Sequence, residues 1–192
     1  MPPKQRITRE MILERSFEMF CREGMEVVNA RSVAKALNCS TQPIFSYFSG
    51  MDDLKTALEQ KAKELFENAL QVEDQPGNPL VNICCAYARF AAEQPCLFTH
   101  LFMLNKDDPI YPFITEEARQ ALVAREAELM ELPQEQAAKV FVQMTVYSHG
   151  LAAVRAARKA EFTPERMEKM ICGAHKTIVC AVKYFMEHPE EA

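Results

Sequence analysis

The 192-residue chain has no tryptophan and only five glycines. Glycine is costly inside helices, so its scarcity suits a helical chain and leaves no room for glycine-rich phosphate loops. No apolar run reaches the eighteen or so residues that span a bilayer, and the N-terminus MPPKQRITRE lacks the apolar stretch of a signal peptide. The expectation is a cytoplasmic protein with no membrane partner. A nucleophile elbow and an HExxH pair are also missing, which argues against an enzyme, and nothing implies a cofactor. Seven cysteines are an odd number in a chain neither short nor secreted. Most have apolar neighbours at helical spacing, so they read as small core hydrophobes. Cys172 and His175 have metal-ligand spacing, but no second pair matches them.

The net charge of −5 is unevenly placed. Residues 1–50 carry seven Lys/Arg against five Glu, or +2, while the rest carries 15 basic against 22 acidic, or −7. A mildly basic head on an acidic body fits a chain with only one end facing phosphate.

Apolar spacing predicts an all-α fold of about nine helices. Thr8 caps a first helix to Glu23, which Gly24 ends in the left-handed conformation; Asn29 caps a second over 30–37. Asn38-Cys39 makes a turn, and Ser40 caps a third helix over 41–47, with Pro43 in its first turn. This is a helix-turn-helix outline. A fourth helix covers about 51–71, with Asp52 and Asp53 at its positive end. After the linker 73–79, helices follow at about 79–93, 96–104, 110–130, 134–160 and 164–187. The expected division is a DNA-binding domain over 1–50 and a sensing and dimerisation domain over 51–192. Residues 137–157 are apolar nearly all round, with Gly150, Ala153 and Ala157 as a small-residue stripe. Residues 167–185 add a second apolar face. Two such helices ending an acidic chain imply a homodimer joined through them.

The segment RSVAKALNCSTQPIFSYFSGMDDLK resembles the TetR family of transcriptional regulators. The resemblance rests on Ala34, Ala36, Ser40, Phe45-Ser46-Tyr47-Phe48, the acidic pair 52–53 and Leu54, with Ile12, Phe17, Phe20 and Gly24 upstream; it covers about residues 8–58. It implies a ligand-responsive repressor that binds a palindromic double-stranded operator as a dimer. Physical reasons assign roles beside the resemblance. The hydroxyls of Ser40 and Tyr47 suit phosphate, while Thr41 and Gln42 begin the recognition helix and suit base edges. Asn29 and Arg31 open the second helix beside the backbone, and Ser46 and Lys55 complete the expected DNA-binding set. Phe45 and Phe48 are expected in the core. The reading helix TQPIFSYF contains no Lys or Arg, so charge contacts fall to Lys55, Lys35, Arg31 and the tail with Lys4, Arg6 and Arg9.

In the body, Tyr87, Phe102, Met103, Phe113, Gln143, Met144 and Tyr147 could line a pocket for a small apolar or aromatic effector; ordinary core packing accounts for the same residues. His100, Ser148 and His149 are polar groups available to orient a ligand. A helical adaptor without DNA binding is the competing reading.

Overall fold

A computed structural model describes residues 7–72, 75–104, 115–157 and 162–191. Among them there are nine α-helices and no strand, as the spacing predicts. They are α1 Arg9–Glu23, α2 Ala30–Ala36, α3 Gln42–Tyr47, α4 Met51–Ala69, α5 Pro79–Glu93, α6 Pro95–Phe98, α7 Glu116–Met130, α8 Gln134–Ala156 and α9 Pro164–Glu187. The run expected as one helix over 96–104 is instead the single turn α6 followed by a π-helical stretch, Thr99–Leu104. Residues 105–114 and 158–161, where two more boundaries were expected, lie outside the described residues.

Contacts divide the chain into Met1–Leu65 with Cys96–Asn105, and Phe66–Pro95 with Lys106–Ala192. In the first unit, α1 packs on α2 and α3 through Ile12, Phe20, Val33, Ala34, Ile44 and Phe48, joined by Leu54 and Leu58 of α4. The π-helical stretch belongs here too. His100 sets its ring edge against Phe20, centroids 5.0 Å apart, and its Nε2 lies 3.0 Å from Oε1 of Glu59. The second unit buries Leu80, Cys84 and Ala88 of α5 against Val140, Phe141 and Met144 of α8 and Met167 and Ile171 of α9. Local caps set the starts. Asn78 accepts from the Val81 amide and Thr163 from Arg166, with Pro79 and Pro164 following where a missing N–H costs little.

Two expectations change. Cys84 alone among the seven cysteines is buried; Cys180 is exposed and the other five are half-buried. Cys21, Cys85, Cys172 and Cys180 sit on helices beside the buried stripe, each residue turning 100°, while Cys39 lies in the turn after α2. Gly24 has φ +96° and ψ 171°, an extended region open to glycine, rather than the left-handed helical well. An added Cβ there would meet the Glu26 carboxylate at 2.5 Å.

Candidate nucleic-acid interface

The entry to α2 is fixed by a reciprocal cap. Asn29 Oδ1 accepts from the Ser32 amide at 3.0 Å, and Ser32 Oγ accepts from the Asn29 amide at 3.1 Å. Asn29 Nδ2 also donates to the Val27 carbonyl at 3.3 Å, so its side chain already holds up the fold. Arg31, one position into the helix, is exposed and has no ion pair among the described residues.

The turn after α2 closes as a Schellman motif. The Cys39 amide reaches the Ala34 carbonyl at 3.0 Å and the Asn38 amide reaches Lys35 at 3.2 Å, with Asn38 at φ +52°. Asparagine tolerates that left-handed well better than most non-glycine residues, so the turn stays tight without glycine. The chain then enters α3 at Gln42. Thr41 stands at the cap position without a side-chain cap bond, and the expected Ser40 cap bond is not made; Pro43 sets the first turn.

Six residues are too few to bury more than one face. Ile44 and Phe48, four apart, fill it and are 0% and 2% exposed. Phe45 lies 100° round the helix and is 52% exposed, which corrects its expected place in the core. It is the exposed aromatic of α3 that sequence reasoning missed. Its aromatic type suggested core, but its one-residue offset from the Ile44–Phe48 stripe could have revealed it.

Ser40, Gln42, Ser46 and Tyr47 line one open concavity of about 770 Å³ with Ile7, Met11 and the α2–α3 turn. The fold thus gathers four of the expected DNA contacts on one surface. Thr41 is half-buried beside them, and Asn29, Arg31 and Lys55 stand outside this concavity. Ser46 Oγ donates back to the Gln42 carbonyl at 3.0 Å, and the Tyr47 hydroxyl donates to the Ile7 carbonyl at 3.3 Å. Tyr47 therefore ties the chain before α1 to the end of α3. Arg9 adds a second tie, its guanidinium 4.9 Å from the Phe48 ring centroid. Asp53 accepts from the amide and hydroxyl of Ser49 at 2.9 and 3.2 Å, fixing the start of α4.

Of the residues expected to line an effector pocket, Tyr87, Gln143, Met144 and Tyr147 belong to the second unit and Phe102 and Met103 to the first. Phe102 and Met103 sit on the π-helical stretch of the first unit, half-buried and exposed. Met144 is fully buried, Tyr147 packs partly against the same core, and Gln143 is exposed. Phe113 lies outside the described residues. Tyr87 donates or accepts at His149 Nδ1, 2.8 Å away, and its ring meets Phe66 edge-on at 5.8 Å. Burial raises the Tyr87 hydroxyl pKa and lowers that of His149, so both groups are neutral at pH 7. Sequence reasoning also missed Glu126, which α7 carries into the interior at 1% exposure to meet His175 and Asn78. Its place among Leu122, Val123 and Met130, at spacings of three and four, was the available signal.

No family model and no curated protein matches the chain. Solved structures do. A TetR-like transcriptional regulator from Rhodococcus sp. RHA1 is 16% identical, with a TM-score of 0.61 over 88% of this chain and 96% of that one. A TetR-family regulator from Streptomyces coelicolor is 16% identical, with a TM-score of 0.62 over 92% and 88%. The flavonoid-responsive regulator FrrA is 17% identical, with a TM-score of 0.50 over 90% of this chain and 95% of that one. The chain has the all-helical fold of the TetR-type transcriptional regulators.

Proposed function

We propose that the chain is a DNA-binding transcriptional regulator, a ligand-responsive repressor acting as a homodimer on a palindromic operator. The observation that carries this reading is the helix-turn-helix of α2 and α3, whose exposed side presents Ser40, Gln42, Ser46 and Tyr47 on one concave surface. Residues up to about 50 act as the reading head and those from 51 as the sensing and dimerisation body, in the cytoplasm where the DNA is. Gln42 suits the two-bond pairing with adenine, the Thr41 methyl suits thymine, and exposed Phe45 offers a further apolar contact with a thymine methyl. Arg31, Lys55 and Ser40 supply backbone contacts.

Dimerisation through α8 and α9 is supported by what the second unit leaves uncovered. Val142, Val146, Gly150 and Val154 succeed one another every four residues on α8 and are all exposed; the three valines are at 50%, 57% and 40%. On α9, Tyr184 and Phe185 are exposed as well. Responsiveness to a small ligand draws support from the apolar, aromatic second unit and from the fold shared with the flavonoid-responsive regulator.

A mobility-shift assay against the DNA flanking the chain's own coding region tests the reading. A shift by the dimer at low salt, weakened in Tyr47→Ala, is expected. Absence of any shift by the folded wild-type dimer would leave the helical adaptor, which the lack of Lys and Arg in α3 favours.

A further inference from the structure

Outside the reading head, the second unit holds a cavity of about 350 Å³ between the end of α4, α5 and α9. That size lies at the lower end of the small-ligand range. Its walls are apolar where Val72, Val81 and Phe90 line it, and two thiols face it from different helices, Cys85 of α5 and Cys172 of α9. Both cysteines are half-buried and neither is in a disulfide. The helices that carry them, α5 and α9, pack directly against each other. By the 100° step of the helix, Cys172 lies about 120° round α9 from Tyr184 and about 140° from Phe185, the exposed residues assigned above to the dimer seam. A second copy docked on the Tyr184–Phe185 side would leave the cavity uncovered.

We propose that Cys85 and Cys172 form a two-thiol site for a trivalent arsenical, with the organic group of the ligand seated against the apolar wall. Two As–O bonds of the hydrated arsenical, R–As(OH)₂, break and two As–S bonds form. Each thiol proton leaves with a hydroxide as water, and arsenic remains trivalent, so no oxidant or reductant takes part. This chemistry fits the setting better than the alternatives. Attack on peroxides or alkylating electrophiles uses the thiolate. Burial, with the neighbouring Cys172 adding to it, pushes the Cys85 thiol up to about 12 and leaves about one thiolate in 10⁵ at pH 7. Condensation with arsenic consumes the neutral thiol and releases no net proton. Zinc would demand deprotonated thiols and more ligands, and among the described residues no group of three metal-ligating side chains exists.

The reduced full-length chain, mixed with one equivalent of phenylarsine oxide and read by intact-mass spectrometry, tests the site without reference to DNA. One phenylarsenic group per chain is expected. It resists a large excess of a monothiol, is released by 2,3-dimercaptopropanol, and joins the peptides containing Cys85 and Cys172. Cys85→Ser and Cys172→Ser each lose the monothiol-resistant adduct, and Cys180→Ser keeps it. Release by monothiol, or a bridge mapped to another pair such as Cys21 and Cys96, overturns the proposal. The wild-type peptide map decides even if a serine variant folds poorly.

Discussion

Oε1 of Glu126 lies 2.6 Å from Nε2 of His175, and its Oε2 accepts from Asn78 Nδ2, also at 2.6 Å, so one buried carboxylate ties α7 to α9 and to the cap of α5. Glu126 and His175 are 1% and 6% exposed, which removes the solvent that would replace a lost partner. Truncation to Ala strands both His175 and Asn78, and breaking such a buried pair costs about 3–5 kcal/mol. Glu126→Ala should lower the urea midpoint accordingly, while Glu126→Gln, which keeps the polar contacts, should cost less than half as much. A loss under about 1 kcal/mol for the alanine variant would mean that water or a rearranged neighbour replaces the carboxylate.

Acid should weaken the second unit through His149. Burial lowers its pKa in the fold, so the unfolded chain binds the proton first as pH falls. The stability of the neutral ring is complete above the ordinary histidine range near 6.5 and is lost below it, as pH falls toward the depressed folded value. His149→Gln, which retains a partner for the Tyr87 hydroxyl, should therefore show a smaller drop in thermal midpoint between pH 7.5 and 5.5 than the wild type. Equal drops in both proteins would remove His149 from the acid response.

Ser16 is fully buried in α1, and its hydroxyl has no hydrogen-bond partner among the described residues. Desolvating an unpaired hydroxyl costs about 1–3 kcal/mol, and alanine is also the better helix former. Ser16→Ala should stabilise the chain by about 1 kcal/mol in urea melts. Destabilisation would show that the hydroxyl is satisfied in solution.

The helix order was legible because caps and spacing agree locally. Thr8 and Asn29, read as caps, each accept the capping bond, while Ser40 does not; Asn78 and Thr163 also cap their helices without having been read from the sequence. Tertiary choices were less legible. Phe45 and Phe48 carry the same side chain, and only the single face that a six-residue helix buries separates them. The contact of His100 with Phe20 joins residues 80 positions apart, which no local pattern encodes. Cavity-lining residues of the second unit are mostly not its aromatics, because an aromatic on an inner helix face fills the core, as Phe141 does, instead of bordering space.

Salt titration separates charge contacts from apolar ones at the reading head. Arg31→Ala should flatten the slope of log K against log salt by about 0.9 per head, or about 1.8 per dimer. Phe45→Ala should weaken specific binding by about 1 kcal/mol at every salt concentration and leave the slope unchanged. The wild-type slope itself should be shallower than that of a protein making six to ten phosphate contacts per site. An unchanged slope for Arg31→Ala would place that guanidinium away from phosphate.

Gly150 offers the sharpest test of the α8 surface. A Cβ built there meets nothing within 4 Å of its own chain, so internal packing does not require glycine, which costs a helix interior about 1 kcal/mol relative to alanine. The proposed dimer would account for a glycine at the centre of the Val142–Val146–Val154 stripe by bringing a second copy close to it. Gly150→Leu should therefore keep or raise the helicity of the isolated chain, yet weaken self-association at least tenfold by sedimentation, about 1.4 kcal/mol. Val146→Glu should do the same by placing a charge in the seam. A dimer of undiminished affinity in both variants would move the interface off this face of α8.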